Sequence, residues 1–176
     1  MDASLHCVQG EAEGVTDLLP LLQEFYRDKL ASVLRHQAAA RFVTQYDANN
    51  AYQYIINRED TQLSWVGRAI VDLGGDVPAT GAELERKPSG KGTAGVNGLF
   101  QEDARDAATF VERWKPKVEG MTNARHRGML RVILGETIEQ QRTFEQALAG
   151  RTDLLGRRTD GVGKLVGEVL PTRWVE

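Results

Sequence analysis

Between Tyr52 and Pro78 the chain reads YQYIINREDTQLSWVGRAIVDLGGDVP. Its apolar residues, Tyr52, Ile55, Ile56, Leu63, Val66, Ile70 and Leu73, recur at helical spacing. A stripe of this length predicts a helix with one buried face, ended by Gly74, Gly75 and Pro78. Two polar residues, Glu59 and Gln62, stand in the stripe where apolar ones are expected. Being three apart, they project from one helical face. A carboxylate and a carboxamide turned toward a core need partners, because an unpaired buried polar group costs roughly 2–7 kcal/mol.

The remaining stripes give three more helices. Thr16 is the expected N-cap of helix one, with Pro20 in its first turn and Leu18, Leu19, Leu22, Phe25, Tyr26, Leu30 and Val33 facing inward. That helix is expected to run to the mid-forties, with a turn at residues 46–50 where Asp47 or an Asn caps helix two. Residues 74–99 hold many of the glycines and two of the five prolines, which predicts a long connection rather than a core element. Helix three is expected from Phe100 or Gln101, with Ala104, Ala107, Phe110, Val111, Trp114 and Val118 inward and a kink or end at Pro116. Helix four is expected from Thr122 to Ala149, with Met129, Val132, Ile133, Thr143, Phe144 and Ala147 inward, closed by Gly150.

No series of strands competes with this pattern. The expected fold is all-α: an antiparallel four-helix bundle over residues 16–149, with a long crossover between helices two and three. Residues 1–15 form a loose lead-in, and residues 150–176 form an irregular tail whose Trp174 packs on the bundle or a partner. At 176 residues the chain is long enough for one domain with a real core. A net charge of −3 advertises neither nucleic acid nor an anionic membrane as partner. The single cysteine, Cys7, excludes an intramolecular disulfide and a cysteine-rich metal site. No apolar run spans a bilayer and no signal peptide opens the chain, so a cytoplasmic location is the default.

Helix four repeats the anomaly of helix two. Glu136, followed by Glu139 or Gln140, interrupts its stripe. In the preceding helices Tyr26 precedes Glu59 by the same separation as Asp103 precedes Glu136, and Asp106 precedes Glu139 likewise.

With these residues in place, the chain resembles the ferritin-like superfamily, which includes bacterioferritin and rubrerythrin. Members of that family supply a glutamate from helices one and three and Glu-x-x-His from helices two and four, all aimed at a metal pair. Glu59-Asp60-Thr61-Gln62, with its spacing to Gly74-Gly75 and Pro78, resembles the second helix of bacterioferritin. The resemblance implies that Tyr26, Glu59, Gln62, Asp103, Glu136 and Glu139 descend from a di-iron site. The departures are several. Gln62 stands in place of histidine, Tyr26 in place of a carboxylate, and the helix-four pair again lacks histidine, while His6, His36 and His126 match no ligand position.

A di-metal site needs several anionic ligands to offset two divalent ions and imidazoles to set their geometry. One reading is therefore a lost site, its polar residues joined in a hydrogen-bonded network that Arg142 can reach, in a non-catalytic binding or assembly module with no cofactor. The alternatives are an atypical carboxylate-rich site for iron or manganese in an oxidoreductase or iron-handling protein, a small-ligand-binding bundle, and a register that leaves these residues exposed. Association into a homo-oligomer through bundle faces is an expectation under any of them. Gly90-Lys91-Gly92-Thr93-Ala94-Gly95 spells G-x-G-x-x-G but lacks the preceding strand that dinucleotide binding requires.

Overall fold

The structure, a computed structural model, describes residues 10–79 and 84–155, with side chains from Leu18 onward. The expectations for Cys7 and the first nine residues of the lead-in, and for the tail with Trp174 beyond residue 155, lie outside these residues; residues 10–15, expected in the lead-in, are helical. Four helices make the fold: α1 (Gly10–Ala40), α2 (Tyr46–Asp72), α3 (Gly92–Glu119) and α4 (Ala124–Leu148). Among the described residues there is no strand. Nor is any described helix long and apolar enough to cross a membrane.

Several boundaries differ from expectation for identifiable reasons. Helix α1 begins at Gly10 rather than near Thr16, so Pro20 lies inside it. Pro20 is exposed, which leaves water free to meet the carbonyl that its missing N–H abandons. The turn between α1 and α2 lies at residues 41–45, earlier than expected. Gln45 is the N-cap, accepting from the Ala48 N–H at 2.7 Å. Asn49, inside α2, donates back to the carbonyls of Ala40 and Val43 at 3.1 and 3.0 Å. One side chain thus serves orphan carbonyls at the α1 end.

Helix α2 ends as its glycines foretell. Gly74 takes φ +77°, and the Gly75 and Gly74 N–H groups reach the carbonyls of Ile70 and Val71, the double bond of a Schellman end. The chain then runs back along α1. Gln23, in the first half of α1, donates to the Asp76 carbonyl at 2.9 Å, and Arg86 reaches the Arg35 carbonyl near the end of that helix. The crossover therefore travels the length of the bundle.

Helix α3 starts at Gly92, well inside the glycine-rich stretch expected to be a connection. Gly95 lies so close to the incoming chain that a Cβ would sit 2.3 Å from the Gly90 carbonyl oxygen. Only glycine fits there. Burial of Leu99 and Phe100 in the first turns outweighs the poor helix propensity of glycine, about 1 kcal/mol per residue. At the other end α3 continues through Pro116, which faces solvent, to Glu119.

Helix α1 packs on α2 and α3, and α4 packs on α3 and α2; the diagonal pairs, α1 with α4 and α2 with α3, keep their backbones apart and meet only through long side chains. Because the crossover returns the chain to the end where α1 stops, α2 and α3 run in the same direction and α1 and α4 oppose them. The core has two apolar halves. One gathers Leu22, Phe25, Val66, Ile70, Trp114, Val118, Leu130 and Ile133. The other gathers Ala39, Tyr52, Ile55, Leu99, Phe100 and Phe144.

Candidate functional site: a charged layer between two apolar halves

Glu59 is held on α2 by the stripe that also buries Ile55, Ile56, Leu63 and Val66, so it faces the bundle centre with no solvent exposure. Its first partner comes from α1. Lys29 follows Phe25 and precedes Val33 by one turn each, which puts a lysine on the apolar face of α1 at 1% exposure. The Lys29 ammonium donates to Glu59 Oε1 at 2.8 Å and to Thr137 Oγ1 of α4 at 3.4 Å. It also lies 5.5 Å from the centre of the Phe110 ring on α3, within cation–π range. One ammonium thus touches every other helix of the bundle.

His36, one turn beyond Val33, supplies the second partner. Its Nδ1 lies 2.7 Å from Glu59 Oε2; a carboxylate only accepts, so Nδ1 carries the proton. Its Nε2 lies 4.0 Å from Asp103 Oδ1 on α3. Burial alone would disfavour ionised Glu59, but the charges of His36 and Lys29 and their hydrogen bonds outweigh it. They hold the carboxyl at about 2 against an ordinary 4.5.

Asp103 is buried like Glu59 and has its own partners. Arg86, from the crossover, donates to Asp103 Oδ1 at 2.5 Å, to Glu102 Oε2 at 2.8 Å and to the Leu99 carbonyl at 3.3 Å. The Tyr52 hydroxyl donates to Asp103 Oδ2. Burial first, and the adjacent Asp103 charge second, push the Tyr52 hydroxyl far above its ordinary range, so it stays protonated as a donor. At the α2–α4 edge, Gln62 Nε2 donates to Glu136 Oε2 at 2.5 Å, and Arg58 pairs with both Glu136 oxygens.

The positions singled out in the sequence therefore divide. Glu59, Gln62 and Asp103 face the core, and Glu136 reaches its edge. Tyr26 is only half-buried, beside Gly67, and α1 contributes Lys29 to the layer instead. Glu139 does not face inward: its side chain is 66% exposed and pairs with Arg142, so Arg142 serves Glu139 while Arg58 serves Glu136. The helix-four register explains this. The buried face of α4 is Leu130, Ile133, Leu134, Thr137, Gln140 and Phe144, whereas Val132 is 50% exposed. Gln140, the other candidate, is the inward residue. His36 belongs to the layer although it matches no ligand position of the resembled family. Asp106 lies toward the surface, paired with Arg35 at 3.4 Å. The Gly90–Gly95 string opens α3 and follows no strand.

The residues do not fit a pair of divalent cations. Each inward carboxylate is already matched by a cation of the chain: Glu59 by Lys29, Asp103 by Arg86 and Glu136 by Arg58. One α1 side chain that reaches this layer is an ammonium, which would repel a metal ion. Among the described residues, no group of three or more His, Cys, Asp or Glu is placed to hold a metal ion.

No family model matches the chain. No curated protein matches it in sequence either. Among solved structures, the chain is similar to the crystal structure of a conserved hypothetical protein, rv2844, from Mycobacterium tuberculosis. The TM-score is 0.64 at 14% sequence identity, covering 79% of this chain and 100% of that one. At that identity the likeness concerns the fold alone.

Proposed function

We propose that this chain is a ferritin-like bundle whose di-metal centre has been replaced by internal ion pairs, and that it serves as a non-catalytic binding or assembly module. The observation that carries the reading is the Lys29 ammonium, bonded to Glu59 and Thr137 and set over Phe110 at the centre of the four helices. A metal pair links four helices by drawing anionic ligands from each; here one ammonium makes the equivalent links with the charge of a single cation. Iron or manganese would have to displace Lys29 and strip Arg86 and Arg58 from their carboxylates, leaving buried cations unpaired. The up-down-down-up helix order and long crossover agree with the ferritin-like arrangement. Exposed Tyr46, Tyr54, Val71 and Val132, on α2 and α4, provide apolar surface for association.

Native purification followed by elemental analysis and an oxygen-electrode assay with ferrous iron tests the proposal. The expected result is no stoichiometric metal and no oxygen uptake above that of ferrous iron alone. Near-stoichiometric iron or manganese that disappears in Glu59→Ala would overturn it.

A further inference from the structure

The chain leaves α4 turning back on the bundle. Gly150 takes φ +80°, its N–H reaches the Ala147 carbonyl at 3.0 Å and the Arg151 N–H reaches the Gln146 carbonyl at 3.0 Å, a second Schellman end. Leu154 then packs on the core half that holds Tyr52 and Phe144. It borders two hollows, one at the bundle end beside Phe42 and Leu148, the other a cleft of about 500 Å³ between α2 and α4. Leu155, at 50% exposure, lines only the cleft. The chain has therefore passed the bundle end and is entering the cleft where the described residues stop.

The cleft lies between the 51–58 stretch of α2 and the 136–143 stretch of α4, and its polar groups are already engaged. Arg58 pairs with Glu136, Arg142 with Glu139, and Thr143 donates to the Glu139 carbonyl at 2.9 Å. What is left to meet an occupant is apolar: the Tyr54 ring, 56% exposed, beside Ile55, Leu154 and Leu155. Residues 156–176 contain a segment of that kind. Val162, Leu165, Val166, Val169 and Leu170 recur at i, i+3, i+4, i+7 and i+8, which is one helical face inside a stretch expected to be irregular. Asp160 stands at the N-cap position of such a helix and Pro171 at its stop. At 1.5 Å per residue the apolar face is about 12 Å long and the cleft about 10 Å. Residues 156–161 reach up to about 20 Å when extended, enough to lay the segment beside Leu155. Gly163, Gly167 and the shortness of the stretch oppose a free-standing helix, so it needs a surface to fold on.

We infer that residues 162–170 form a short amphipathic helix that docks in the α2–α4 cleft of the same chain, its valine and leucine face set on Tyr54, Ile55 and Leu154. The short tether gives the segment an effective concentration in roughly the millimolar range, so a modest apolar contact suffices to hold it. Tyr54 is then covered by the protein's own chain, and Val71 and Val132, outside the cleft, are left for a partner. The docking does not depend on what fills the bundle centre, so its failure would leave the metal-free centre standing.

Amide hydrogen exchange and methyl NOEs of the full chain test the docking. Amides 165–170 should exchange about tenfold more slowly than those of an unstructured chain, and the Leu165 and Val169 methyls should show NOEs to the Tyr54 ring and the Ile55 methyls. Tyr54→Asp, on the exposed side of α2, and Leu165→Asp, outside the four helices, should each abolish both signals while exchange in α1–α4 stays as it was. Four results would overturn the inference: unslowed exchange in the unaltered chain, protection that survives Tyr54→Asp, NOEs to Phe42 or Leu148 at the bundle end, or NOEs that arise only between labelled and unlabelled copies in a mixed sample.

Discussion

Lys29 Nζ lies 2.8 Å from Glu59 Oε1, and both side chains are withdrawn from solvent at 1% and 0% exposure. Taking such a pair out of water costs several kcal/mol per ion, and attraction inside the protein repays that only when the remaining valences are also met. They are met here: Thr137 and Phe110 receive the ammonium, and the His36 Nδ1–H donates to the second carboxylate oxygen. The pair holds α1, α2 and α4 in one register more than it adds net stability.

The asymmetry of buried pairs gives the first expectation. Lys29→Met should cost about 3–5 kcal/mol in urea unfolding, because Glu59 is left buried with His36 alone. Adding Glu59→Gln to that variant should recover most of the loss, since neither charge then remains. A double-mutant cycle with a coupling near zero would show that the two side chains do not meet.

Acid unfolding reads the same carboxylate. The folded-state value of Glu59 is depressed to about 2 against 4.5, so the folded state binds fewer protons than the unfolded one between these limits. The stability this provides is complete above the unfolded value and is lost as pH falls through that window, an effect on the order of 3 kcal/mol. Glu59→Gln should flatten the fall of unfolding free energy between about pH 4.5 and 2. An unchanged slope would contradict the ionised, paired Glu59.

Arg86 ties the crossover to the core through Asp103, Glu102 and the Leu99 carbonyl. Arg86→Met leaves Asp103 with the Tyr52 hydroxyl and the more distant His36, a loss on the order of 3 kcal/mol. Hydrogen exchange should quicken selectively at the first turns of α3, where Leu99 and Asp103 lie. Uniform quickening over all four helices would instead mean that Arg86 contributes only to global stability.

Two glycines in helices should respond oppositely to alanine. At Gly95 a Cβ meets the Gly90 carbonyl oxygen at 2.3 Å and its carbon at 2.8 Å, both backbone atoms that cannot swing aside. Gly95→Ala should destabilise by about 1–3 kcal/mol. At exposed Gly128 of α4 nothing lies within 4 Å, so alanine there should stabilise by about 0.5–1 kcal/mol. Melting temperatures of the two variants check both signs.

Helix count, the C-terminal end of α2 and the inward placement of Glu59, Gln62 and Asp103 were legible because long stripes and a Gly-Gly stop leave little choice of register. Lys29 was not, although its signal was present: it sits one turn from Phe25 and one from Val33, in line with Leu22 and His36. A lysine in an apolar stripe reads as a surface residue until its partner is known, and that partner lies on another helix. Helix α4 misled because Val132 and Met129 made a plausible stripe beside the true one through Leu130, Ile133, Leu134 and Thr137. That shift turned Glu139 outward and Gln140 inward. The early start of α3 was hidden by glycines, of which Gly95 makes a close approach to Gly90, a tertiary demand that propensity cannot register.

We propose that Lys29 and Glu59, with Arg86 and Arg58, take the place of a metal pair. Titration of the native protein with manganese(II), followed by paramagnetic broadening of backbone amides, tests it most directly. The expected result is no selective broadening at Lys29, His36, Glu59, Asp103 or Thr137 up to excess manganese. Broadening centred on these residues at stoichiometric metal, and lost in Glu59→Ala, would contradict it.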